Sequence, residues 1–103
     1  MTIVFTNGCC SNEIDQTVTR VVKEGLEKVF PSNVLQEAPL AVPMMGSEDF
    51  GEISHRIPTT TMFITAADTE IMLHNPKIVL DESILEFGAN VYVEAALAYL
   101  ESV

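Results

Sequence analysis

The chain has no tryptophan, two cysteines, two histidines and five basic residues among its 103. Each scarcity excludes something. Five basic against fifteen acidic side chains leave a net charge of −10, which repels nucleic-acid phosphates and anionic lipid, so no nucleic-acid or membrane partner is expected. The two cysteines are neighbours, Cys9-Cys10, a spacing at which a bridge is strained, so a disulfide scaffold is excluded. As metal ligands they make a poor tetrahedral set, with no further donor close in sequence. No apolar run reaches the roughly 18 residues of a membrane helix. The opening Met1-Thr2-Ile3-Val4-Phe5 lacks the basic and then apolar pattern of a secretion signal, so a reducing cytoplasm is the expected location. Internal repeats and low-complexity stretches are also missing.

What is present is apolar. Hydrophobic residues make up 48% of the chain, enough for a core in one small domain and against disorder. The mean hydropathy of +0.27 is high for so small a unit. Some apolar surface is therefore expected to meet a partner, either another segment of a longer protein or a second copy.

Thr2 to Thr6 reads as a strand, and Asn7-Gly8 as a turn. Ser11 or Asn12 suits an N-cap for a helix over about 14–30. In that helix Ile14, Val18, Val21, Val22, Gly25, Leu26 and Val29 recur at three- and four-residue spacing, and Pro31 stops it. Residues 34–37 suggest a short strand. Ser47 suits the cap of a short helix to about Arg56. Thr60 to Thr65 has no charge and reads as a central strand. Asp81 caps a long helix over about 82–101, in which Gly88 and Ala89 permit close approach. This order predicts an α/β fold, with too few strands for a complete sheet and so a piece of a larger one.

Two loops hold the chemistry. One is Met45-Gly46-Ser47-Glu48-Asp49-Phe50. The other is Leu73-His74-Asn75-Pro76, followed by Asp81-Glu82. Histidine is the commonest zinc ligand, yet a catalytic zinc needs three protein ligands, and the chain offers only His55 and His74 without HxxxH, CxxC or HxD spacing. From spacing alone, a hydrogen-bonded loop histidine is the plainer reading of His74, and His55 reads as a surface residue at a helix end. Gly46-Ser47 before a helix start exposes N–H groups suited to an anion such as a substrate carboxylate, while Glu48 and Asp49 equally answer the helix dipole. Met44-Met45 read as flexible packing.

Taken together, these loops resemble the C-terminal signature of the zinc-dependent amidohydrolases, the family of hippurate hydrolase, indole-acetyl-amino-acid hydrolase and N-acyl-amino-acid deacylases. The similarity runs from about Val42 to Leu100 and is looser over the first forty residues. It implies the C-terminal portion of a metallopeptidase catalytic domain: a partial three-layer α/β sheet with packed helices. Residues 1–10 would resemble the last strand of the lid domain, and 11–103 the catalytic domain. It further implies that His74 is a ligand of zinc or another divalent metal, and that Gly46, Ser47, Glu48 and Asp49 line the substrate site. The family's remaining ligands and its glutamate base have no counterpart here, so the chain alone is expected to be inactive. Its partner would be the missing N-terminal half or a second copy, as a homo-oligomer. A non-catalytic, self-associating module left from such an enzyme is the alternative, and an anion-binding module using the Ser47 helix start is a third.

Overall fold

A computed structural model describes residues 2–4, 8–31, 48–66, 71 and 74–103. Three helices organise them: α1 (Gln16–Val29), α2 (Gly51–Ser54) and α3 (Ser83–Ser102).

The first helix begins later than the sequence suggests. Asp15, not Ser11 or Asn12, is its cap: the Asp15 Oδ1 accepts from the Val18 N–H at 2.8 Å. The chain before it is held elsewhere, since the Asp15 N–H donates to the Thr59 carbonyl at 2.8 Å and the Thr59 hydroxyl to the Glu13 carbonyl at 3.2 Å. Residues 11–13 are thus committed to tertiary bonds rather than to opening the helix. At the other end the Phe30 N–H returns to the Leu26 carbonyl, Phe30 turns extended, and Pro31 prevents continuation.

α1 packs along α3, and this pair is the core. Val22, Leu26 and Val91 are buried, with Val18, Phe30, Phe87 and Ala95 packed against them. Phe30 and Phe87 meet edge to face at 5.2 Å. The close approach is at Gly25, where an added Cβ would collide with the Ala98 Cβ. At Gly88, where close approach was expected, a Cβ would make only ordinary contact with Ile64. The helices differ in kind. α1 has one apolar stripe, whereas α3 is apolar around much of its circumference and leaves Leu85, Tyr92 and Leu100 exposed.

The sheet is a correction. The described residues contain no strand, against the α/β partial three-layer sheet read from the sequence. A strand exists only through its ladder, and among the described residues the backbone bonds of 59–66 lie at its ends, where the Thr59 carbonyl accepts from the Asp15 N–H and the Ala66 carbonyl from the Asp81 N–H, both at 2.8 Å, while Thr60 and Thr61 are held by the side chains of Thr19 and Asn12. Phe63, between them, is 76% exposed. Thr2–Val4 is likewise exposed and outside any strand. The short strand expected at 34–37 lies outside the described residues.

Asp81 does what its position suggests. Its Oδ1 accepts from the Ser83 N–H at 2.9 Å at the start of α3, while Glu82, the residue next to the helix, makes no side-chain cap. Hydrogen bonds from the Ser83 side chain, and then from its backbone, hold the Asp81 carboxyl below its ordinary range. The sign follows: this stabilisation is present above the ordinary aspartate pKa and is lost as pH falls through the lowered one. Asp81→Ala is expected to fray the first turn of α3 at neutral pH and to make little difference in strong acid. Amide exchange at Ile84 and Leu85, followed in both variants across that range, checks it.

Candidate functional site

The sequence places its candidate chemistry on two turns. The first leads into α2. The Gly51 N–H reaches the Glu48 carbonyl at 3.3 Å, the Glu52 N–H the Asp49 carbonyl at 3.1 Å, and the Glu48 Oε1 accepts from the Phe50 N–H at 3.2 Å. Glu48 therefore organises its own turn. Glu48 and Asp49 are exposed. Gly46 and Ser47, the other two expected substrate contacts, lie outside the described residues, as do Met44 and Met45.

His74 lies on the second turn, just before α3. The Asn75 side chain accepts from the Lys77 N–H at 2.9 Å and the Asn75 carbonyl from the Ile78 N–H at 3.0 Å, an Asx turn whose next residue is Pro76. His74 itself has φ 70°, among the described residues the one non-glycine in the left-handed region, and it is exposed. An L-residue there costs about 1–2 kcal/mol and is held by its surroundings.

These turns do not form a metal centre by themselves. Among the described residues no group of three or more histidine, cysteine, aspartate or glutamate side chains gathers to hold a metal, and no hydrogen bond or ion pair joins His74 to Glu48 or Asp49. The donor chemistry of His74 suits zinc, but it supplies one ligand where a site needs several.

His55 is the C-cap residue of α2, and among the described residues its ring is engaged through Nε2. Its Nε2 lies 2.9 Å from the Ser11 carbonyl oxygen, 3.3 Å from the Ser11 hydroxyl and 3.6 Å from the Glu13 carboxylate. Ser, His and Glu so close invite comparison with a catalytic triad. In a triad, however, the acid and the nucleophile address opposite ring nitrogens, and here all partners crowd Nε2. The group is a clasp between residues 11–13 and α2, reinforced by the Glu13 N–H donating to the Ser54 hydroxyl at 3.0 Å.

Sequence reasoning missed that this clasp extends to the cysteines. Cys9 and Cys10 are reduced and exposed, and the Cys9 thiol points to the Asp49 Oδ1 at 3.7 Å. The Glu52 carboxylate faces the Cys10 thiol and backbone N–H. That shared hydrogen bond pushes the Cys10 thiol up and Glu52 down from their ordinary values. Forty residues separate the partners, so no local pattern announces them.

A groove of about 640 Å³ runs between α1 and the end of α3. Its charges are mixed, with Arg20 and Lys28 beside Glu24 and Glu101, and its lining includes none of Glu48, Asp49 and His74. No helix among the described residues is long and apolar enough to cross a membrane.

Comparison with known proteins identifies the family. The profile of the family described as Peptidase family M20/M25/M40 matches residues 4–98. A relative from Arabidopsis thaliana, IAA-amino acid hydrolase ILR1-like 6, is 38% identical over 65 residues, covering 59% of this chain and 14% of that protein. The chain thus spans a small part of the length of the relative it matches. No solved structure matches it.

Proposed function

Because the chain belongs to peptidase family M20/M25/M40, a generally metal-dependent family of hydrolases, we propose that it is the C-terminal part of an enzyme cleaving the amide bond of N-acyl amino acids or small peptides. The family match over residues 4–98 carries this reading. The Arabidopsis relative, by its name a hydrolase of IAA-amino acid, supports the substrate class. In this reading residues 1–10 close a lid domain and 11–103 complete the catalytic domain. His74 gives one imidazole to zinc or another divalent ion, and Gly46, Ser47, Glu48 and Asp49 border the substrate. The strained backbone at His74 supports its role, since left-handed non-glycine residues cluster at functional sites. The remaining ligands come from the rest of the catalytic domain, and this chain by itself is inactive.

A second reading is favoured by one observation. Phe63, Leu85, Tyr92 and Leu100 are each more than two-thirds exposed. A non-catalytic module that covers these residues with a second copy would explain them without any metal. Sedimentation separates the two: a tight homodimer that binds no zinc favours the module.

The deciding experiment grafts residues 42–103 into the corresponding segment of the Arabidopsis relative and measures bound zinc and hydrolysis of an N-acyl amino acid, with and without His74→Ala. The expected result is hydrolysis reduced at least about a hundredfold by the substitution, together with weaker metal retention; loss of support around a metal already costs about 10–100-fold. Undiminished metal and hydrolysis in the alanine variant would remove His74 from the site. The 103-residue chain dialysed against zinc is expected to retain less than one equivalent.

A further inference from the structure

The cysteines stand in an unusual setting for thiols. Reactive cysteines are found beside positive charge, which favours the thiolate. Cys9 and Cys10 instead face carboxylates: Asp49 at 3.7 Å from the Cys9 sulfur, and Glu52 against Cys10. A cation opposing this at Cys10 is Arg56, which is drawn to Glu52 at 4.0 Å. The backbones are also in contact, since a Cβ added at Gly51 would collide with the Cys10 carbonyl. Residues 9–13 and 49–55 therefore meet along a seam whose proton donors at one end are two thiols.

We propose that Cys9 and Cys10 form a thiol latch, two proton donors that fasten the acidic turn and α2 to the crossing segment 9–13 through Asp49 and Glu52, and that capping the sulfurs releases that turn. The capping agent is a small disulfide. The Cys10 thiolate attacks one of its sulfurs, a new S–S bond forms as the old one breaks, and the departing thiolate takes up the proton that Cys10 lost. The capped sulfur has no proton to donate. The latch needs neither a metal nor a substrate, so it survives or fails separately from the hydrolase reading.

Its pH dependence has a definite sign. The raised Cys10 pKa means that the latch is fully present below the ordinary thiol value of 9.0 and is lost as pH rises through the higher value. The lowered Glu52 pKa means that the latch is present above the ordinary 4.5 and is lost as pH falls through the lower value. The groups facing the pair are Cys9, Arg56 and His55, in addition to Glu52 itself. The latch is closed across the neutral range and opens at both ends.

The test uses the whole chain. At neutral pH, Cys10→Ala is expected to speed amide exchange at Ile53 and Ser54 about fivefold, the consequence of losing one net hydrogen bond. Cys10→Ser, which keeps a donor, restores protection. Treatment with 2-hydroxyethyl disulfide mimics alanine in the wild type and has no effect on a Cys9→Ser, Cys10→Ser double variant. Carbon chemical shifts of Gly51, followed in the unsubstituted chain into alkaline solution, titrate with a midpoint above 9.0, and Cys10→Ser abolishes that titration. Equal exchange in the alanine and serine variants, or a flat alkaline profile in the wild type, overturns the latch.

Discussion

Leu26→Ala is expected to unfold much of what this chain holds together. Leu26 is 2% exposed and lies between Val22 and Val91, the other two buried apolar side chains among the described residues. Removing its branched end costs roughly 2–5 kcal/mol from lost burial and the cavity left behind. A domain of this size holds only about 5–15 kcal/mol in all, and one with so few buried side chains has little to spare. The cavity cannot be shared out, because α1 and α3 already touch backbone to side chain at Ala98 and Gly25, the residue before Leu26. Urea unfolding followed by far-ultraviolet circular dichroism is expected to show the midpoint falling sharply, with α1 and α3 melting together. Unchanged stability would mean that the α1–α3 pair is not the core of the chain in solution.

Gly25→Ala reverses an ordinary rule. In an exposed helix interior the change stabilises by about 0.5–1 kcal/mol, because glycine gives up more backbone freedom on folding. Here the new methyl would overlap the Ala98 Cβ, so one helix must move. Overpacking of this sort costs about 1–3 kcal/mol, which exceeds the gain. The variant is expected to be less stable by roughly 1–2 kcal/mol from the difference of those terms. Ala98→Gly in the same chain reopens the space and is expected to recover most of the loss. A double-variant cycle by urea unfolding measures the coupling. A Gly25→Ala chain more stable than the parent would show that the helices do not cross at these residues.

The elements differ in how much of them was legible. The body of α1 was readable because Val18, Val22 and Leu26 repeat on one face and Pro31 stops the chain. Its start was not, because the bonds from Glu13 and Asp15 to Thr59 hold residues forty-four and more positions away. Asp81 at the start of α3 was readable for a local reason, a side chain two residues from the N–H it accepts. Residues 60–65 carry the composition of a strand without the ladder that makes one, since β-branched and aromatic residues register suitability for a sheet rather than its presence. The candidate site rests on a resemblance. Glu48, Asp49 and His74 were singled out by their order in the chain, and nothing in that order says that Glu48 supports its own turn or that His74 is left-handed.

The sequence by itself determined the family, the two long helices and the acidic charge, because each depends on residue identity or on spacing within one element. The tertiary structure alone decided which faces meet, that Gly25 rather than Gly88 is the close approach, and that the Cys9 thiol meets the Asp49 carboxylate forty residues away. Those outcomes depend on distances through space between segments remote along the chain, and side-chain periodicity carries no information about them.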